Sequence, residues 1–283
     1  MKTYSTKDIR NVVLIGASRC GKTTLSEAML YEVKVIDRRG SVEDKNTVSD
    51  NTEFEQTNQK SINATPLYAE LGGCKINFID APGSDDFSGG ALSAFKVVET
   101  AVMVMNGTAG IEVGTTIFSR YADQYGVPMV IAVNQLDHEK ANWDGVRSAI
   151  AEEFGKKAVI CQFPVAPGAG LEGFVDVITM KFYNGKNEEV DIPAAYADEA
   201  EELRAELMEK AAEGSDELME VEQRWKELLI QQTGPDGLFY HQQLHPVRGT
   251  LQRGDEKDLQ TAYARAGLGG ARKRGLPRGR RAC

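Results

Sequence analysis

The chain has 283 residues, which allows one or two domains, and 41% of them are hydrophobic and 27% charged. That balance excludes a wholly disordered or collagen-like chain; no apolar run reaches the roughly 18 residues of a membrane span, and residues 1–8 hold no apolar core of a secretory leader. The net charge of −9 hides an asymmetry, because residues 221–283 carry 12 Lys and Arg against 6 Asp and Glu, whereas residues 1–220 carry 21 against 36. Cys20, Cys74, Cys161 and Cys283 are scattered without a Cys-x-x-Cys pair. Neither a zinc site nor a disulfide framework is expected, in keeping with a reducing cytoplasm.

In chain order, the apolar run 11–15 ends in glycine and reads as a buried strand. A helix is expected from Thr23 to about Glu32, with Leu25, Ala28, Met29 and Leu30 available to a core. Residues 38–66 are polar and follow neither period, so they read as a long functional loop. Leu71-Gly72-Gly73-Cys74 marks a turn before a strand over 75–80. Further strands are expected over 101–106 and 127–134, and helices over 90–99 and 115–125. This alternation predicts an α/β fold, a mostly parallel sheet with helices on both faces. Residues 194–232 are rich in Ala, Glu, Leu and Lys and favour helix. Gly214-Ser215 breaks that run, and Ser215 is placed to cap a second helix. From Gly234 onward, Gly, Arg and Gln dominate without periodicity, a composition that buries little apolar surface.

Gly16-Ala17-Ser18-Arg19-Cys20-Gly21-Lys22-Thr23 fits G-x-x-x-x-G-K-[ST] between a strand and a helix. Such a loop folds its amides into a concave nest for phosphate oxygens, and the following helix adds its positive end. Lys22 is then expected to reach the β- and γ-phosphates, with Thr24 beside it, and the Thr23 hydroxyl to ligate Mg²⁺. Asp80-Ala81-Pro82-Gly83 follows a strand, which suits Asp80 to the metal and lets the Gly83 amide approach the γ-phosphate. Asn134-Gln135-Leu136-Asp137 ends another strand. Asp137 there can accept from guanine N1–H and the exocyclic amine, a donor pair adenine lacks, so GTP or GDP is the expected ligand. Cys20 sits where flanking amides would lower its thiol pKa, or simply fills a small space.

With these residues placed, the chain resembles the G domain of elongation factor G, a translational GTPase, from about Asp8 to Glu220. Asp80-Ala81-Pro82-Gly83-Ser84-Asp85-Asp86-Phe87 is similar to the family's D-T-P-G-H-V-D-F, and Gly107-Thr108-Ala109-Gly110-Ile111-Glu112 to its G/A-x-x-G-V-E. Phe163-Pro164-Val165 and Leu171-Glu172-Gly173-Phe174-Val175-Asp176 resemble the stretch that opens the insert subdomain of that factor and of its ribosomal-protection and eukaryotic relatives. The resemblance implies a P-loop core over 8–160, an α+β insert over 161–232 and an atypical basic tail over 233–283. It implies GTP and Mg²⁺ as ligands, binding to ribosomal RNA and ribosomal proteins, a role in translocation, and a monomeric, cytoplasmic protein with no membrane partner. It also places Ser61, in Lys60-Ser61-Ile62, at the switch hydroxyl that completes the Mg²⁺ shell in the GTP state.

Three departures stand beside the resemblance. The family's water-orienting histidine is Ser84, which cannot carry positive charge near neutral pH. Hydrolysis is therefore expected to be weak or absent, with Ser84 and Gly83 as the catalytic positions, unless Ser84 or another group positions water well enough. The lysine of N-K-x-D is Gln135, so an ammonium contact is missing. Finally, the strand and Ser-Ala loop that read guanine O6 have no clear counterpart around His245–Thr250, as in a truncated gene or a shifted reading frame. The readings left open are a hydrolysing elongation factor G-like GTPase, a non-hydrolysing GTP-binding ribosomal module, a ribosomal-protection-type relative, and a generic P-loop ATPase or nonfunctional fragment.

Overall fold

The computed structural model describes residues 2–186 and 188–213. The described residues divide into two compact units, one of 2–158 with 166–172, the other of 159–165 with the residues from 173 onward.

The first unit is built on a five-stranded sheet in the order β2-β3-β1-β4-β5. Its strands are β1 (Ile9–Ile15), β2 (Thr65–Leu71), β3 (Cys74–Asp80), β4 (Thr100–Asn106) and β5 (Met129–Asn134). All neighbours pair in parallel except β2, which runs antiparallel to β3 through the Gly72–Gly73 turn. Side chains alternate across a strand, and both faces are covered here, so the central strand β1 ends in the continuous apolar run Val12–Ile15. Val13 and Ile15 point into one layer with Met103, Met105, Phe95 and Phe118. Leu14 between them points into the other, with Leu30, Leu67 and Phe78. Phe118 is fully buried, a burial that contributes roughly 1.5–3 kcal/mol.

The helices are α1 (Lys22–Glu32), α2 (Glu53–Asn58), α3 (Ser88–Phe95), α4 (Val113–Tyr125) and α5 (Trp143–Phe154). Helix α4 ends because Gly126 takes a left-handed conformation, φ 65°, open to few other residues. The helix expected over 90–99 begins two residues earlier and ends at Phe95. Three elements differ from expectation. The segment read as a continuous loop over 38–66 contains α2 and the start of β2. Helix α2 is a single short turn and a half held by a capping box between Thr52 and Glu55, too short to show a period. Strand β2 was hidden because only Leu67 and Ala69 of its residues are buried. Helix α5, capped by the Asn142 side chain on the Gly145 amide, had no counterpart in the sequence reading.

The second unit holds a four-stranded antiparallel sheet, β6 (Gln162–Val165), β7 (Gly173–Asp176), β8 (Lys181–Asn184) and β9 (Glu189–Val190), and then α6 (Ala194–Glu213). Leu203 and Leu207, four residues apart, are buried on one face of α6 as the sequence spacing predicts. Arg204 donates to the carbonyls of Val177 and Ile178 at 3.3 and 3.1 Å. Among the described residues no helix is long and apolar enough to cross a membrane. The second helix expected after Gly214, the basic tail and the region around His245 lie outside the described residues.

Candidate nucleotide-binding site

Strand β1 ends at Ile15 and the chain turns at once. Gly16 has φ 137°, and a Cβ there would strike the Val104 carbonyl of the neighbouring strand. Gly21, φ 96°, has no room either, because its Cβ would collide with the Asn134 side-chain amide. Only glycine satisfies both demands at once. Lys22 opens α1 and is 6% exposed. Its Nζ folds back over the loop and donates to the carbonyls of Gly16 (3.0 Å) and Ala17 (2.9 Å). The ammonium is thus fixed over the concave side before any anion arrives. Ser18 and Arg19 lie exposed at the tip of the loop, and Thr24 is exposed on α1.

The adjacent strand β3 brings Asp80 level with Leu14. Gly83 then crosses the phosphate loop closely: a Cβ on it would meet Lys22 Nζ and lie 2.7 Å from the Ala17 carbonyl oxygen. Ser84 is half-buried and its side chain makes no capping hydrogen bond to the short turn Asp85–Phe87 that follows. From β5, Asn134 Nδ2 donates to the Cys20 carbonyl at 3.0 Å and Gln135 Nε2 to the Arg19 carbonyl at 3.3 Å. The third sequence pattern therefore ties directly onto the first. Asp137 is exposed just beyond buried Leu136.

On the other side, Thr23 Oγ1 and Ser61 Oγ lie 3.2 Å apart. Around them sit groups that the sequence reading did not single out. Asp50 and Ser49 are buried, at 4% and 2% exposure, and so is Asp80 at 1%. Among the described residues, both oxygens of Asp80, Oδ1 of Asp50 and Oγ of Ser49 have no hydrogen-bond partner. Burial pushes the Asp80 carboxyl above its ordinary range; Asp50 adds to the rise, while the Thr23 and Ser49 hydroxyls and the Lys22 ammonium oppose it. Burial likewise raises Asp50, with Glu55 and Glu27 adding to it and Ser61 and Lys22 opposing. Unfilled buried carboxylate oxygens beside the hydroxyls of Thr23, Ser61 and Ser49 form a hard, all-oxygen donor set, which fits a magnesium ion. Asp50 and Ser49 were missed because nothing in their spacing marks them.

Two further carboxylates organise the segment that carries these groups. Glu27 of α1, 1% exposed, accepts from the amides of Gly40 (2.9 Å) and Val48 (2.6 Å). Glu55, also 1% exposed, accepts from Thr52, Ile62 and Asn63. Burial alone would raise Glu55, but the Thr52 hydroxyl and the amides of Asn63, Ile62 and Thr52 outweigh it and hold the carboxyl below its usual range. Cys20 goes the other way from a reactive loop thiol. Burial dominates and pushes its thiol up despite the nearby Lys22, so Cys20 fills space.

Fold and loop together define a P-loop G domain, a phosphate cradle at the carboxyl end of a mostly parallel sheet. The chain belongs to the elongation factor Tu GTP binding domain family, whose model matches residues 7–226. It is similar to elongation factor G of Dehalococcoides mccartyi, 31% identical over 236 residues that make up 81% of this chain and 34% of that protein. It is likewise similar to elongation factor G of Mycoplasma genitalium, 33% identical over 224 residues, 77% of this chain and 33% of the relative. The chain thus spans about a third of the length of the curated relatives it matches. A solved structure from Thermus thermophilus superposes with a TM-score of 0.72 at 25% identity, covering 92% of this chain and 36% of that one.

Proposed function

We propose that this chain is the guanine-nucleotide module of an elongation factor G-like translational GTPase, and that it takes GTP with Mg²⁺ but hydrolyses it slowly. The observation that carries the reading is the convergence of three strand-end segments, 16–23, 80–83 and 134–137, through Gly83 over Lys22 and Asn134 on the Cys20 carbonyl. Loop amides 17–22 and Lys22 hold the phosphates, and Asp137 selects the purine by its hydrogen-bond donors. Thr23, Ser61 and Asp80 hold the metal, with Asp50 and Ser49 beside them. Magnesium held there would supply positive charge that offsets the negative charge of the phosphates.

In this reading the Gly83 amide would serve the γ-phosphate, and the next residue would have the task of holding water. A neutral serine there holds water through one hydroxyl and supplies no positive charge. General acid–base positioning contributes about 10²–10⁴-fold in rate, so the loss of a histidine is large enough to turn a GTPase into a GTP-dependent binding module. The partner supported by family membership is the ribosome, and the implied setting is translocation in the cytoplasm.

Fluorescent guanine and adenine nucleotides, titrated with magnesium present, test the first part. Tight GDP and GTP uptake that excess ATP does not reverse is the expected result, and ATP competing equally would overturn it. Single-turnover hydrolysis with ribosomes tests the second. Ser84→His is expected to accelerate the reaction at least about a hundredfold, the low end of what such positioning contributes; a fast parent chain that Ser84→His leaves unchanged removes the slow-hydrolysis reading and keeps the binding reading.

A further inference from the structure

We propose that Glu55 is a positioning residue of the metal side of the nucleotide site, the group that sets the Ser61 hydroxyl against Thr23. The inference rests on the nucleotide reading above and extends it to how that wall is built.

The two oxygens of Glu55 do different work. Oε2 accepts from the Thr52 amide at 3.2 Å and from the Thr52 hydroxyl at 2.6 Å. These bonds close the capping box at the start of α2. A cap needs no more than that, and it needs no charge, since glutamine serves equally well in such boxes. Oε1 instead reaches forward seven and eight residues. It accepts from the amides of Ile62 and Asn63, both at 3.0 Å, and from Asn63 Nδ2 at 3.2 Å. Those two amides immediately follow Ser61, whose Oγ lies 3.2 Å from Thr23 Oγ1.

The five donors on Glu55 are all neutral. A buried carboxylate is costly unless its lone pairs are filled, and here both oxygens are filled by one contiguous stretch, 52–63. The charge therefore closes a ring that joins the helix start to the residues after Ser61. Glu27 holds the preceding part of the segment from α1, through Gly40 and Val48. Ser61 thus hangs from a loop whose two ends are clamped by separate anions, and only Glu55 is bonded to its immediate neighbours.

Glu55→Gln separates the cap from the clamp in the full chain. The glutamine oxygen can keep the Thr52 bonds, but its NH₂ then faces the Ile62 and Asn63 amides, donor against donor. Groups that orient metal ligands without touching the metal typically contribute about 10–100-fold to metal affinity. The magnesium concentration for half-maximal GTP retention is expected to rise about tenfold in Glu55→Gln, as in Ser61→Ala. Retention in excess chelator should not change. In the Ser61→Ala background, Glu55→Gln should add nothing to the magnesium midpoint, because it acts through Ser61. With neither nucleotide nor metal present, hydrogen exchange at the Ile62 and Asn63 amides should rise.

A merely structural cap predicts a lower melting temperature with an unmoved magnesium midpoint, and that result overturns the proposal. Additive effects of the two substitutions overturn it as well. If Glu55→Gln does not fold, Asn63→Ala removes one donor from Oε1 alone and should move the midpoint by about threefold; no movement there is equally fatal. A parent chain without magnesium-dependent GTP uptake sinks the nucleotide reading and this proposal together. Normal uptake by the parent beside an unshifted variant sinks this proposal alone.

Discussion

The phosphate loop takes its shape from its own short run of residues and two glycines, whereas the segment 40–63 across from it is shaped by carboxylates. In the loop, Gly16 and Gly21 occupy left-handed backbone that packing leaves open to no other residue, and Lys22 bonds to carbonyls only five and six residues away. In the segment, Glu27 and Glu55 gather amides across 7 to 21 residues. The loop's own bonds are local, with two ties from Asn134 and Gln135 at its tip. The segment is a longer-range assembly whose integrity depends on two buried negative charges. In the proposed nucleotide site the loop would be a rigid wall, for the phosphates, and the segment, held only by these side-chain clamps, a releasable wall on the metal side.

Lys22→Ala should break the rigid wall. It removes the buried cation and leaves two carbonyls without their donor, so GTP affinity should fall by about 3 kcal/mol, on the order of a hundredfold. Calorimetry reads it; near-parent affinity would mean the loop is not the phosphate cradle. Asp137→Asn leaves both walls intact and acts on the base. Guanine should lose about 2 kcal/mol and xanthine nucleotides should gain, so competition between the two bases checks the assignment. A uniform loss for all bases would show that Asp137 supports the loop instead.

Asp80 lies where the walls meet, and it sharpens the comparison through pH. Its carboxyl is raised above the ordinary value by burial. A raised acid favours folding below the ordinary carboxylate range and loses that benefit as pH climbs through the folded-state value. Above that value it is therefore a burden on the ligand-free chain. There Asp80→Asn should stabilise the chain by about 1 kcal/mol while abolishing stabilisation by magnesium and GTP. The advantage should shrink as pH falls through the raised folded-state value, as the parent carboxyl takes up its proton. Glu55 has the opposite sign. Its contribution is present above the ordinary glutamate value and disappears as pH falls through its lowered one, so the segment should loosen in acid before the phosphate loop does. Thermal melts over pH, with and without magnesium, separate the two.

Gly40→Ala tests the releasable wall without touching any group placed on the ligand. The new Cβ would lie 2.6 Å from the Asn46 carbonyl oxygen and 2.9 Å from Glu27 Oε2. The backbone must yield, at a cost of about 1–2 kcal/mol. Cleavage by trypsin at Lys45 and Lys60 should speed up, while GDP affinity changes little. Equal protection in parent and variant would mean Glu27 does not hold this segment.

The same contrast decides how much was legible in the sequence. The loop's chemistry is spelled by residue type at fixed spacing, so Gly16, Gly21, Lys22, Thr23, Asp80 and Asn134 could be picked out without a structure. The buried strands 11–15 and 101–106 announced themselves as apolar runs. Asp50 and Ser49 carry no such signature, because their burial depends on Glu27 and Glu55 folding the segment over them. The Thr52-to-Glu55 spacing was a capping-box signal, masked by the shortness of α2. Helix α5 offered Val146 and Ile150 four residues apart, both packed in the core, yet polar neighbours diluted the pattern. Residue type at fixed spacing was legible, whereas short or diluted local patterns and burial made by distant contacts were not.

The smallest effect is expected at Gln135, the residue through which the base-side loop touches the phosphate loop. It holds φ 60°, a conformation that costs a side-chain-bearing residue about 1 kcal/mol. Its Nε2 spends a hydrogen bond on the Arg19 carbonyl, a neutral contact that steadies the loop tip. Gln135→Lys keeps the reach and can donate to the same carbonyl, while adding the ammonium that the family carries. Each contact of this exposed kind is worth about 0.5 kcal/mol, so nucleotide affinity should rise roughly twofold and do so less at high salt. A fall in affinity would instead mean that the planar amide is fitted to Arg19, and that the phosphate loop is not as self-sufficient as its glycines suggest.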